Sequence, residues 1–170
     1  MNPDDIAPTW VQGVALIVVL TPTIAFVAFR RSIGVMNAAA GLVIWGALTA
    51  CSEHGMWAMR LSIHERSWSN PHSTVHYFMA GVYAAIAGVL LSVIALTLFR
   101  EGRRSGWAAV LFALVVGGSL ELVMYGPTGY LYHHVGLYGY PVAWAAALAI
   151  AFKPTFRQED LFPETSAITP

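Results

Sequence analysis

The stretch PHSTVHYFMAGVYAAIAGVLLSVIALTLF, residues 71–99, decides the fold of this chain. It contains no Asp, Glu, Lys or Arg, and its 29 residues exceed the roughly 20 that an α-helix needs to cross a bilayer core. Asn70 is a suitable helix cap, and Pro71 suits the first helical position. The stretch therefore predicts a transmembrane helix.

Similar apolar runs occur along the remaining chain, which is 57% apolar and 11% charged. An ordinary soluble domain is about 25% charged, so this balance indicates an integral membrane protein. We expect an all-α bundle of about five transmembrane helices within residues 1–152, at residues 9–29, 33–60, 71–99, 106–125 and 137–152. Residues 153–170 are expected to form a polar cytosolic tail. Glycines and prolines leave open whether residues 126–140 are a loop, an interfacial segment or a re-entrant segment.

The distribution of basic residues predicts the orientation of the bundle. Seven of the nine follow the first, third and fifth apolar segments, and only Arg60 and Arg66 fall on the other side. Cytosolic loops are enriched in Lys and Arg, so the N-terminus is expected outside and the C-terminus in the cytosol. The first residues are acidic and lack the basic region of a signal peptide, which favours a retained first helix. The expected location is a bacterial inner membrane or a plasma membrane.

Composition also excludes several classes of function. Nine basic and nine acidic residues balance, and no basic stripe suggests nucleic acid as a partner. Cys51 is the only cysteine, which excludes an internal disulfide and a zinc site of several thiolates. The expected partners are the lipid bilayer and a lipophilic small molecule. A homo-oligomer or a membrane-complex partner remains open.

The ionisable residues predict a site near the outer ends of the helices. Glu53, Glu121 and all six histidines fall there, and ionisable groups at a bilayer edge are costly enough to suggest function. Glu121 lies about 22 Å along its helix from Gly106, inside the hydrocarbon. Its carboxyl group must find a partner or keep its proton, because burial away from water disfavours the charged form. The histidines are His54, His64, His72, His76, His133 and His134.

Aromatic residues concentrate on the same side. Residues 125–144 hold five of the seven tyrosines, and the cytosolic side has none. Aromatic belts normally occur at both membrane interfaces, so this asymmetry favours an aromatic-lined cavity that opens outward. The residues expected to bind substrate are Trp57, Tyr77, Tyr83, Tyr125, Tyr130, Tyr132 and Trp144.

The run from Glu121 through GYLY (residues 129–132) to GYP (residues 139–141) and Trp144 resembles small polytopic membrane enzymes of isoprenoid and carotenoid metabolism. That group includes membrane cyclases and hydratases, which protonate an olefin or epoxide with intramembrane carboxylates. The resemblance covers about 24 of the 170 residues. It implies that Glu121 and Glu53 act as acid and base.

Three functions remain open from the sequence. The first is a cyclase, isomerase or hydratase that needs no cofactor, with Glu121 as acid and a base among Glu53, His54 and His76. The second is an outward-facing metal or haem site, for which imidazoles and carboxylates are suitable ligands. The third is a non-enzymatic subunit of a membrane complex or transporter. The ligands of the second hypothesis would be His72, His76, His133 and His134.

Overall fold

The computed structural model describes residues 9–51, 71–125 and 139–156. A π-helical turn, Ala95–Phe99, continues the third of five α-helices. The all-α prediction is confirmed for these ranges, within which no strand occurs. The helices are α1 (Thr9–Ile33), α2 (Val35–Ala50), α3 (Pro71–Ile94), α4 (Arg104–Tyr125) and α5 (Tyr140–Phe156).

The fifth helix differs most from the prediction. The sequence predicts it at residues 137–152, whereas it extends from Tyr140 to Phe156 and includes Pro154, a residue of the predicted tail. The Phe156 ring packs edge-on against Trp107 of α4, with the ring centroids 5.3 Å apart. The Arg104 guanidinium lies 5.4 Å from the centroid of the same ring. These contacts stabilise the last turn, so the helix continues past the proline.

Two glycines with positive φ reverse the direction of the chain. Gly34, with φ of 90°, is the single residue between α1 and α2. Gly102, with φ of 72°, follows α3 and its π-helical turn. There the Gly102 N–H bonds to the Phe99 carbonyl and the Arg103 N–H to the Leu98 carbonyl, at 3.0 and 2.9 Å. This is a Schellman motif, whose left-handed residue is most often glycine.

Helix α2 occupies the centre of the bundle. It packs against α1, α3 and α5, and its contact with α5 is the most extensive, whereas α4 packs mainly against α5. Buried alanines on both helices lie beside the larger side chains of this core, and small side chains of this kind let helix backbones approach closely. The buried alanines are Ala38, Ala39, Ala40 and Ala47 of α2 and Ala143, Ala147 and Ala151 of α5.

Three glycines lie directly against side chains of neighbouring helices. Gly41 of α2 lies under the Phe26 ring of α1, and Gly46 of α2 lies under the Trp144 indole of α5. Gly88 of α3 lies against the Cys51 sulfur at the end of α2. A Cβ atom at any of the three would overlap its neighbour, so these positions require glycine for reasons of space.

Three tryptophans connect the helices by hydrogen bonds. Each donates its indole N–H to a backbone carbonyl of another helix, at 3.0 to 3.1 Å. The pairs are Trp45 with Val19, Trp144 with Val43, and Trp107 with Leu148. They connect α1 to α2, α2 to α5, and α5 to α4. The Cys51 thiol adds a contact of the same kind from α2 to the Ala84 carbonyl of α3, at 3.1 Å.

Much of the outer surface is apolar. Within the described residues, two segments are long and apolar enough to cross a membrane, Leu16–Ile33 and Phe78–Phe99. Only 6% and 17% of these segments, respectively, are buried within the bundle. The apolar helices Val35–Ala50 and Arg104–Ser119 are shorter.

The fit of Trp144 over Gly46 gives a stability prediction. We expect Gly46→Ala to destabilise the protein by about 1–3 kcal/mol, because the new methyl group would overlap an indole that is buried and hydrogen-bonded. The free energy of unfolding, measured by denaturant titration in detergent micelles, tests this.

Gly118→Ala is the matched control, because nothing lies within 4 Å of a Cβ at Gly118 of α4. There the same change should stabilise by about 0.5–1 kcal/mol, since alanine favours the helix over glycine. Equal effects of the two substitutions would contradict the packing of α2 on α5.

Candidate functional site

One end of the bundle carries every Lys, Arg, Asp and Glu side chain that the structure describes. We call it the basic end. It combines the C-terminus of α1, the turn between α3 and α4, and the last turn of α5. Glu101 is the one acid in this set, and its carboxylate accepts a hydrogen bond from Arg103 at 2.7 Å. The basic residues are Arg30, Arg31, Arg100, Arg103, Arg104 and Lys153.

The opposite end, which we call the histidine end, combines the C-terminal ends of α2 and α4 with the N-terminal ends of α3 and α5. Two groups of predicted site residues belong to its helices by backbone position. His72, His76 and Tyr77 lie in the first two turns of α3, and Glu121 and Tyr125 lie in the last two turns of α4.

The other residues that the sequence predicts at the histidine end lie outside the described residues. They are Glu53, His54, Trp57, His64, Tyr130, Tyr132, His133 and His134. Their assignments as acid, base, aromatic wall or metal ligand stay predictions.

A pair of aromatic rings marks the start of α5 at the histidine end. Tyr140 and Trp144 are both buried and pack edge-to-face, with ring centroids 4.9 Å apart. A Cβ atom on Gly117 of α4 would lie 3.6 Å from the Tyr140 hydroxyl oxygen, so the phenol ring lies over this glycine. Glu121 follows Gly117 by four residues, which is about one helical turn and roughly 6 Å nearer the end of α4. The pair therefore lies one turn beneath the backbone position of Glu121.

Trp144 was predicted to bind substrate, and the structure gives it a packing role. Its side chain is 4% exposed, and its indole N–H is bonded to the Val43 carbonyl. Gly46 covers one part of the indole and Tyr140 another. The polar atom of this side chain is thus already used between α2 and α5. Contact between Trp144 and a substrate stays a prediction.

Tyr83, another residue predicted to bind substrate, lies on the outer surface of α3 and is 62% exposed. The neighbouring Ala84 faces α2, because its carbonyl accepts the hydrogen bond from Cys51. A role for Tyr83 in binding therefore requires a molecule on the outer surface of the bundle, and its contact with a substrate stays a prediction.

Two residues near this end were not among the predicted site residues. Tyr140 appears in the sequence only as part of the GYP run, and Gly117 follows another glycine within an apolar helix. No local pattern connects the two, because their contact joins positions on different helices. Tyrosine immediately before a proline at a helix start was the one signal that pointed to Tyr140.

No group of three or more His, Cys, Asp and Glu residues suited to a metal ion occurs among the side chains that the structure describes. The set His72, His76, His133 and His134 falls outside those side chains. Metal binding by that set stays a prediction.

Comparison of the chain with family models, with curated proteins and with solved structures finds no match. The resemblance to membrane cyclases and hydratases therefore rests on the residues quoted for it, and it stays a prediction.

The bonded indole of Trp144 gives a second stability prediction. We expect Trp144→Phe to lower the free energy of unfolding by about 1–3 kcal/mol, because it removes the hydrogen bond to the Val43 carbonyl and leaves a gap above Gly46. Denaturant titration in detergent micelles measures this loss.

Tyr83→Phe is the control, since it also removes a polar atom from an aromatic side chain but at an exposed position. Surface changes of this kind usually stay within about 0.5 kcal/mol. A Trp144→Phe variant as stable as the parent chain would show that the indole bond contributes nothing.

Proposed function

We propose that the chain is an integral membrane protein whose five helices all cross the bilayer. The support is the outward position of its apolar side chains. A soluble monomer rarely exposes apolar patches larger than a few hundred Å². Here segments Leu16–Ile33 and Phe78–Phe99 are mostly unburied, and Phe112 and Val115 of α4 are exposed as well. Lipid tails are the surroundings in which such a surface is stable.

A helix as apolar as α1 near an N-terminus could also be a signal sequence. We propose instead that α1 is a permanent part of the bundle. Two contacts support its place. The Val19 carbonyl accepts the Trp45 indole N–H, and the Phe26 ring occupies the space above Gly41. A segment that is removed after export has no need of such fitted contacts with α2.

The orientation follows from the basic end. Among the described side chains, six basic residues and one acid occupy it, and Lys and Arg are enriched on the cytosolic side of membrane proteins. In the proposal the basic end faces the cytosol, and the histidine end faces outward together with the N-terminus.

Single-cysteine labelling tests this orientation. In a Cys51→Ser background, a membrane-impermeant maleimide should label an Asn2→Cys variant in intact cells. It should label a Glu101→Cys variant only after the membrane is broken, because Glu101 belongs to the basic end. The reversed pattern would contradict the orientation, and release of the chain by alkaline carbonate would contradict membrane integration.

We further propose an acid–base site for a lipophilic substrate of isoprenoid or sterol type at the histidine end. One observation carries it: the backbone of Glu121 lies about one turn beyond the packed Tyr140–Trp144 pair, at the end of the bundle opposite all described charges. A carboxylic acid at this backbone position suits the protonation of an olefin or epoxide. Such a group within the apolar part of a membrane protein is generally functional.

The proposed roles divide between proton transfer and stabilisation of charge. Glu121 in its neutral form donates a proton to the substrate, and Glu53, His54 or His76 receives the proton lost in the next step. Aromatic faces attract the cation that forms between the two steps. The candidates for that contact are Trp57, Tyr77, Tyr125, Tyr130, Tyr132 and Trp144.

The test of this proposal is the turnover of a Glu121→Gln variant. Membranes containing the chain are incubated in D₂O with a panel of isoprenoid olefins, epoxides and sterols, and products are followed by mass spectrometry. The parent chain should convert one member of the panel and incorporate deuterium. Glu121→Gln should lower this rate at least about 100-fold, since the amide cannot donate the proton.

Glu101→Gln is the matched control, because it makes the same chemical change at the basic end, in an exposed ion pair. It should leave turnover unchanged. Full turnover in Glu121→Gln, or equal losses in the two variants, would contradict the proposed acid. Stoichiometric metal in the purified chain, with turnover lost on chelation and restored by metal, would favour a metal site at His72, His76, His133 and His134 instead.

A further inference from the structure

Helix α3 packs against α2 with a face of small residues. Gly88 lies against the Cys51 sulfur at the end of α2, and the Ala84 carbonyl accepts the hydrogen bond from the Cys51 thiol. Gly81 and Ala95, each seven residues from Gly88, are buried as well. Residues at these spacings share one side of a helix, so this is the side of α3 that α2 covers.

Another face of α3 carries most of its β-branched apolar side chains. Five of the six Val and Ile residues of α3, together with Met79, recur at alternate spacings of four and three residues. We call these six positions the α3 seam: Val75, Met79, Val82, Ile86, Val89 and Val93. A helix turns by about 100° per residue, which places the seam roughly 140° around α3 from Gly88. The seam and the contact with α2 therefore lie on different sides of the helix.

The seam is open at the surface of the described bundle. Five of its six side chains are 37–64% exposed, and Val82 is partly buried. Exposed fractions of about one half leave roughly 500 Å² of apolar surface on the seam, so contact between two seams would bury roughly 1,000 Å² in total. That area is close to the lower limit for a specific interface. The neighbouring side chains of Phe78 and Leu90 are also exposed and would add to it.

Two properties of the seam favour a second helix over lipid tails as its neighbour. The average spacing of 3.5 residues is the repeat along which two α-helices pack side by side in a left-handed coiled coil. Val and Ile keep nearly a single χ1 rotamer in a helix, so packing them against a fixed neighbour costs little conformational entropy. Fluid lipid tails have no need of such stiff side chains.

We propose that the α3 seam binds the α3 seam of a second copy of this chain. Copies that enter one membrane in the same orientation are related by a rotation about the membrane normal, so their α3 helices meet in parallel and at the same height. The seam is then complementary to itself. Ile86 of one copy packs against Ile86 of the other, between Val82 and Val89. The area and the helical repeat together support a second copy as the occupant.

The common orientation of the copies rests on the proposed membrane integration, but the two proposals fail in different ways. Release of the chain from the membrane by alkaline carbonate would overturn both. A chain that stays in the membrane as a monomer would overturn only the contact between α3 seams.

Disulfide crosslinking of single-cysteine variants in membranes tests the contact. In a Cys51→Ser background, Val89→Cys places a thiol of nearly the same size as valine on the seam, and oxidation with copper phenanthroline should yield a disulfide-linked dimer. Ala87→Cys is the matched control, because Ala87 is exposed at almost the same height but lies about 160° around the helix from Val89. It should yield at least about tenfold less dimer, because its side of α3 is turned away from the second copy. Equal yields, or no dimer from Val89→Cys, would overturn the proposal.

Native mass spectrometry of the chain purified in dodecyl maltoside gives a second test, which needs no crosslinking. The parent chain should be observed as an oligomer of at least two copies. Val89→Trp adds bulk to the seam and should lower the oligomeric share at least about tenfold, whereas Ala87→Trp adds the same bulk elsewhere and should lower it less than about threefold. A monomeric parent chain, or equal losses in the two variants, would overturn the proposal.

Discussion

The arrangement of the five helices depends on hydrogen bonds that indole N–H groups donate to backbone carbonyls of other helices. A helical carbonyl has a second lone pair beyond the one used in its own helix, so it can accept such a bond without breaking the helical ladder. Trp45, Trp144 and Trp107 use this capacity at Val19, Val43 and Leu148. In apolar surroundings an unpaired indole N–H is costly, so each bond fixes how far one helix slides along the next.

These short hydrogen bonds require small residues on the facing helices, because a larger side chain would keep the indole away from the backbone. An indole N–H reaches a backbone carbonyl at 3.0 Å only where the facing surface has no side chain in the way, and Gly46 supplies that space beneath Trp144. Alanines above and below keep the α2–α5 interface close along its length. The contacts of Trp144 with Val43 and Gly46 fix its position along α2, and Tyr140 packs against it on the side of the histidine end.

The positions of the helices could be predicted from the sequence, whereas the contacts between them could not. Long apolar runs without charge predict where helices occur, and the confirmed all-α fold follows from them. The continuation of α5 past Pro154 could not be predicted, because the contact of Phe156 with Arg104 joins two different helices. The hydrogen bond of Trp144 could not be predicted for the same reason: its acceptor, the Val43 carbonyl, is 101 residues away in the chain. The places of Glu121, His72 and His76 near helix ends could be predicted, but not the buried Tyr140 that lies one turn below the backbone of Glu121.

The cost of these bonds is visible at Thr23. Hydroxyl groups in these helices usually bond to the carbonyl four residues earlier, as Thr21 does to Ile17 and Thr97 to Val93. For Thr23 that carbonyl belongs to Val19, which already accepts the Trp45 indole. The Thr23 hydroxyl is buried and has no hydrogen-bond partner within the described part of the chain. A buried unpaired hydroxyl costs about 1–3 kcal/mol. The Val19 carbonyl therefore accepts the Trp45 indole N–H, which joins α1 to α2, in place of the Thr23 hydroxyl of its own helix. The hydrogen bond between the helices is kept although it leaves one hydroxyl within α1 unpaired.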